Sequence, residues 1–432
     1  MRRIHRCVGL DYLRRLAAFK AEPLSAMLAM QAGHGDLVYF PWPIKTLLVF
    51  HPEDIKDVML HHAQRMVKGR QTRHLQAVVG NGVFTSEGKA WREQRRTIAN
   101  VFMPKQVAAY RPTIRACAAE QMRSWPTAQP FDLGEAIGRM AFDVSGQLFF
   151  GGVDPALASA IKEACEQMGR IVFRRISSAF PLPLAVPTRE NRRFAAYKRR
   201  VDDLVHGVIR DRRTEAGCAQ DFLGRILADA ASIARPLTDA QIRDEVVTLM
   251  IAGFETSSVM IIWTLHLLAQ HPEYLTRLQE ELKTVDDPAD LGSDSLLRAV
   301  LKESLRLFPP SPLISRQNIE PITLGGVSLP AGTNFVMSQY VTHRDERFWE
   351  KASEFMPERF WRQDVPKFAY FPFSMGPRRC VGEDLATTEA LIIIGTLIKS
   401  GGLGMEARER RAACEVILRP HEPLMATISH HP

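Results

Sequence analysis

The stretch Phe373-Ser374-Met375-Gly376-Pro377-Arg378-Arg379-Cys380-Val381-Gly382 decides the reading of this chain. A cysteine ahead of a helix is most often a packed thiol. Here Gly376 and Gly382 flank Cys380, and glycine lets backbone approach a flat ligand closely. The apolar run from about Val381 to Lys399 reads as a helix, so backbone N–H groups at its start favour a thiolate. Arg378 offers a planar fork suited to a carboxylate.

Further motifs lie upstream. Glu303-Ser304-Leu305-Arg306 sits on an apolar helix, about 293–307, stopped by Pro309-Pro310, and Arg306 precedes Cys380 by 74 residues. An acid and an arginine three apart usually decorate a surface. The longest helix runs from Thr238 to about Gln270, with Thr238 and Gln241 in a capping-box pattern and His271-Pro272 ending it. Its length, about 50 Å, crosses a molecule of this size. It is apolar nearly all round from Val246 to Phe254, which marks a central, buried element. Within it stands Ala252-Gly253-Phe254-Glu255-Thr256-Ser257. A glycine there costs about 1 kcal/mol against alanine, and a threonine hydroxyl can bond back into the helix. Trp91 and Arg95 share a helix face, four residues apart. Arg316 follows Pro309–Ser315, and Pro357-Glu358-Arg359-Phe360 precedes the cysteine stretch.

The chain has 432 residues, 46% hydrophobic and 24% charged, ordinary for a globular protein. We expect residues 1–35 to be irregular with short helical pieces, and a hairpin over Asp36–Phe40 and Thr46–Phe50. The pattern is then mostly helical from Gly88 to about Ala234, broken by prolines at 104, 112, 126 and 130. Residues 313–341 read as short β pieces. Nothing resembles a linker, so one domain over 1–432 is expected. It has a β-containing portion about 36–65, a helical portion about 88–307, and a β and cysteine-loop portion about 308–382. The six cysteines, at 7, 117, 165, 218, 380 and 414, include no zinc-type pair, and their usage fits a reducing cytoplasm. No membrane span and no secretory signal is expected. The net charge of +8 comes with basic clusters at 192–200, 210–213 and 408–411. We read these as solvated helix faces, since no nucleic-acid module or interleaved aromatics accompany them. His343-Arg344-Asp345 copies three letters of a kinase catalytic loop, but position 350 is Glu where Asn is needed.

At Phe373, Gly376, Arg378, Cys380 and Gly382 the sequence resembles the cytochrome P450 family, all five positions of whose haem signature are present; Leu385 and Ala386 continue it. The resemblance implies a mainly α fold with a minor β part, the single-domain P450 triangular prism with a long central helix over haem. It implies that Cys380 is the axial ligand of the iron of haem b (protoporphyrin IX). Arg378, Trp91, Arg95 and Arg316 would then reach the propionates, and Phe373, Gly376 and Gly382 would shape the loop. Glu303, Arg306 and Arg359 would form a buried structural ion network. Ala252, Gly253, Glu255 and Thr256 match the oxygen-activation motif: Gly253 leaves room for oxygen, and Glu255 with Thr256 relays protons.

The implied activity is monooxygenation, one atom of O2 entering a hydrophobic small molecule such as a terpenoid, steroid or fatty acid. Contact positions by resemblance are Val247, Met250, Ile251, Leu313 and Ile314, within segments that also include 67–84, 311–315 and 422–425. Electrons come ultimately from NAD(P)H through a separate ferredoxin or flavodoxin and its reductase, since no cysteine spacing fits an iron–sulfur cluster. Arg92, Arg96 and Arg379 are a candidate docking face. A soluble, cytoplasmic, bacterial-type monomer is implied. Two rival readings stand beside it. One is a peroxygenase or haem-thiolate isomerase, against which the Glu255–Thr256 pair counts. The other is a non-enzymatic haem sensor.

Overall fold

In a computed structural model, the chain is described over residues 4–429, except 153–154, 177–181, 215–220, 233–236, 363–364, 366 and 415. Cys218 lies outside the described residues, as do parts of two expected helical stretches.

The central helix spans Asp239–Gln270. Thr238 caps it, with the reciprocal Thr238–Gln241 hydrogen bonds in place, and these satisfy donors that a helix start leaves free. Its buried residues run almost without break from Ile242 to Met250 and from Ser257 to Leu268. It packs against the helix Leu133–Phe150 on one side and against Glu383–Lys399 and Leu296–Leu307 on others. Among the described residues it is the one helix long and apolar enough to cross a membrane, and it is mostly interior to the protein.

The largest core cluster joins this helix to the surrounding helices. Pro112 does not break the chain, contrary to the sequence reading: the helix Pro104–Arg123 continues through it. Pro112 and Ala108 are both exposed, so water can take the carbonyl whose intrahelical bond the ring removes. Buried Tyr110, Ile114 and Cys117 hold the inner face against the core. Residues 4–34 are more regular than expected, forming a strand, Ile4–Arg6, and two helices, Gly9–Ala21 and Pro23–His34. The second helix buries Met27 and Met30 with Val38, Leu48 and Phe50, a nonlocal anchor that local periodicity does not reveal.

The hairpin forms as Leu37–Phe40 and Thr46–Val49. It belongs to a six-stranded sheet assembled from both ends of the chain. Thr46–Val49 pairs in parallel with Asn334–Ser338, which pairs antiparallel with Leu313–Asn318, which in turn pairs with Met66–Lys68. The sheet thereby brings Lys68 opposite Arg316.

Candidate active site

Cys380 is held by its loop before it is held by anything else. A turn carries Ser374 N–H to the Phe371 carbonyl (2.9 Å), and Cys380 N–H donates to the Phe373 carbonyl (2.9 Å). A short 3-10 turn, Gly376–Arg378, lies between. Gly376 has φ +71°, and a Cβ there would come within 2.4 Å of the Met59 carbonyl oxygen. The demand for glycine at 376 thus comes from the protein's own packing, where the sequence reading attributed it to a flat ligand. At Gly382 a Cβ would meet only the Phe102 ring at 3.4 Å. Gly382 caps the helix Glu383–Lys399, two residues later than expected.

The Cys380 side chain is exposed, yet burial is the main influence raising its thiol pKa. A group with both properties lines a concavity. The Gly382 N–H and the Arg95 and Lys68 cations pull the other way, favouring thiolate. A second position of this kind is Ala252, exposed in the middle of the buried central helix. Beside it, the Cβ direction of Gly253 meets no protein atom closer than 3.9 Å among the described residues. Packing therefore does not require glycine there. The Thr256 hydroxyl donates back to the Ala252 carbonyl at 2.6 Å. Glu255 pairs with Arg419 at 3.6 Å, an exposed arginine on the strand Leu418–Pro420.

Four cations converge near the cysteine. Arg378 donates to the Ser86 carbonyl (2.9 Å), pairs with Glu87 and stacks 3.8 Å over Trp91. Trp91, on the helix Gly88–Val101, thereby supports the arginine. Arg316 is 6% exposed and bonds the Ser315 carbonyl. Burial, then the Arg378 charge, pushes it down to about 10. Burial holds Lys68 well below the usual lysine range, with Arg316 and Arg378 adding to the effect. Arg95 is half-buried and donates to no described protein group. Against these stands one carboxylate, Glu87, whose other oxygen takes the Lys68 N–H at 2.5 Å. Buried charge of one sign demands a counter-charge. The set fits a planar dianion with carboxylate arms lying next to a thiolate, which is the chemistry of haem.

Behind the loop, Glu303 accepts from Arg306 Nε and Nη2, each at 2.8 Å, and from Arg359 Nε at 3.0 Å. All three are fully or almost fully buried. Two cations face one anion, and backbone carbonyls of His343, Ala352, Glu354 and Glu350 take the remaining N–H groups.

A sequence model of the cytochrome P450 family matches residues 12–411. The chain belongs to the cytochrome P450 family. It is 30% identical to pentalenene oxygenase of Streptomyces avermitilis, over 92% of this chain and 91% of that one. It is 29% identical to cyclooctat-9-en-7-ol 5-monooxygenase of Streptomyces melanosporofaciens, over 87% and 84%. Among solved structures, CYP175A1 of Thermus thermophilus superposes with a TM-score of 0.81 at 26% identity, covering 99% of this chain and all of that one. The chain is a cytochrome P450 monooxygenase with the P450 fold, and the family implies haem-thiolate chemistry and use of O2.

In this P450, sequence reasoning missed three residues. Lys68 and Glu87 belong to the charged cluster, and only the strand pairing of Met66–Lys68 reveals them. His343, dismissed as part of a stray motif, is fully buried. Its Nε2 accepts the Phe371 N–H at 3.1 Å while Nδ1 faces the Arg306 carbonyl at 3.2 Å. It therefore ties the cysteine loop to the ion network. Burial, reinforced by the Arg306 charge, pushes it down to about 3, so it stays neutral. The predicted substrate contacts separate. Val247 and Met250 are buried in the core cluster and Ile251 is half-buried. On the strand Leu313–Asn318, Ile314 shares a face with Arg316, and Leu313 lies on the other. Arg92 and Arg96 are exposed, as is Arg379, which forms a two-bond pair with Glu383 at 2.6 Å.

Proposed function

We propose that this P450 hydroxylates or otherwise oxygenates a terpenoid-like hydrocarbon skeleton, with Cys380 as the iron's thiolate ligand. The observation that carries the ligand assignment is the placement of Cys380: lining a concavity, with the Gly382 N–H, Arg95 and Lys68 offsetting in part the burial that raises its thiol pKa. Bound haem supplies the activation of O2 at the thiolate-ligated iron. The chain's own residues do the rest. Lys68, Arg95, Arg316 and Arg378 neutralise and orient the two carboxylate arms. Thr256 holds a hydroxyl and its proton at Oγ1 beside the Ala252 carbonyl. Glu255, the residue before Thr256, pairs with the exposed Arg419 and is the group that would pass protons from solvent toward Thr256. The apolar flank of the central helix excludes water.

The terpenoid class rests on two supports. Pentalenene oxygenase and cyclooctat-9-en-7-ol 5-monooxygenase are relatives whose names state such substrates, and the predicted contacts are all apolar. Electrons arrive from a separate ferredoxin or flavodoxin and its reductase, docking at the face that carries Arg92, Arg96 and Arg379.

The test has two parts. The reduced protein with carbon monoxide should show the strongly red-shifted band of thiolate ligation, and Cys380→Ala should lose it. Titration of the oxidised protein against a panel of sesquiterpenes, diterpenes, steroids and fatty acids should give spin-state shifts with the terpenes. A band that survives Cys380→Ala would overturn the ligand assignment. Shifts confined to steroids or fatty acids would overturn the substrate class.

A further inference from the structure

The N-terminal segment holds a second group of ligating side chains, on elements that contribute nothing to the cysteine site. His5 is on the strand Ile4–Arg6, Asp11 is in the first turn of the helix Gly9–Ala21, and His34 is the last residue of the helix Pro23–His34. One ligating atom from each lies within 4.8 Å of the other two. His5 Nε2 and Asp11 Oδ2 are 3.4 Å apart, and the two imidazoles stack with centroids 3.8 Å apart. A tetrahedral ion with bonds of about 2.1 Å needs neighbouring donors about 3.4 Å apart. The His5–Asp11 separation already matches this, while at least one of the two stacked imidazoles has to turn to aim its in-plane lone pair at the same ion. Such an ion would draw the rings out of their parallel stack.

Two further observations favour a ligand over simple packing. Nε2 of His34 is buried and has no hydrogen-bond partner among the described residues, an unmet need that costs stability in the bare protein. The Asp11 carboxylate is also divided: Oδ1 takes Arg15 Nε at 2.8 Å, while Oδ2 turns to His5. An outer partner on one oxygen with the other facing imidazoles is the usual support of a monodentate metal-binding carboxylate. All three side chains are half-buried, so an ion can enter from solvent.

We propose that His5, Asp11 and His34 bind one divalent transition-metal cation of the zinc class, with water completing the coordination. Two imidazoles and a carboxylate suit zinc and neighbouring ions, and leave calcium and magnesium disfavoured. The ion ties the first strand and the first two helices together. Since these three residues come from separate elements, the bound ion acts as a staple on the N-terminal segment.

The experiment uses the haem-loaded full chain, so that Cys380 is engaged, after treatment with a chelator and dialysis. Zinc is added in competition with a chromophoric chelator, and hydrogen exchange is followed with and without zinc. The expected result is one zinc per chain, slower exchange in residues 4–34, and loss of saturable binding in His5→Gln, Asp11→Asn and His34→Gln. The carbon-monoxide spectrum of each variant should match that of the parent, showing an intact fold. No saturable zinc binding by the parent overturns the proposal. Unchanged binding in the His5→Gln/His34→Gln double variant, or protection confined to other segments, does so equally.

Discussion

The Thr256 hydroxyl donates to the Ala252 carbonyl, 2.6 Å away and one turn earlier in the same helix. The Gly253 carbonyl is also within reach, at 3.3 Å. This places an oriented hydroxyl beside one of the few exposed positions of an otherwise buried helix. Thr256→Ala removes the proton donor without disturbing the core. Product turnover should fall by about 100-fold, the usual scale of a lost proton-transfer group. Oxygen uptake should fall less, with the difference appearing as peroxide. Thr256→Ser should retain most of the coupling. Parallel assays of product, oxygen and peroxide check this.

The Glu303 carboxylate is the single anion between two buried guanidiniums. Glu303→Ala should therefore destabilise the fold by about 3–5 kcal/mol, the cost of leaving buried charge uncompensated. Arg359→Met should cost less, because Arg306 keeps both of its bonds to Glu303. Urea unfolding of the haem-loaded protein, with each variant compared at the same pH, gives the order.

Arg95 and Arg316 have no carboxylate partner among the described residues, although Arg316 is almost fully buried. If they bind the carboxylate arms of haem, Arg95→Met or Arg316→Met should each remove a charged hydrogen bond of about 1.5–3 kcal/mol. Haem transfer to an apoglobin acceptor should accelerate by about 10- to 100-fold. Arg96→Met, an exposed neighbour on the same helix, should leave the transfer rate unchanged.

Glu245 is fully buried on the central helix, where its carboxylate accepts the Val83 N–H at 2.9 Å. Burial pushes it up to about 8 from an ordinary 4.5. The folded protein then holds a proton that the unfolded chain releases above pH 4.5. Its contribution to stability is complete below that pH, declines as pH rises, and is gone above about 8. Glu245→Gln keeps the acceptor and removes the titration. Stability should then fall less steeply between about pH 5 and 8, with a residual slope from Glu389, which burial raises to about 7. Denaturant midpoints across that range measure the difference.

The sequence alone was sufficient for several features whose signal lies within one element. Thr238 and Gln241 announced the start of the central helix and Pro272 its end, because capping and proline chemistry act over a few residues. The residues around Cys380 identified the loop, and the three-residue spacing of Glu303 and Arg306 made them neighbours on one helix face. Pro112 misled because the cost of proline is local while the packing that overrides it is not.

Convergence of distant segments was decided only by the tertiary structure. Thr46 pairs with Asn334 and Lys68 with Arg316 across most of the chain, and no periodicity in either segment names its partner. The same holds for His343, whose ring joins Phe371 to Arg306, and for Glu255, which reaches Arg419. Even the glycine at 376 answers to a carbonyl at Met59. Cys380 stood out as the proposed ligand from its own neighbours. The excess of buried positive charge around it was not, because that charge is assembled by strand pairing and helix packing from four separate parts of the chain.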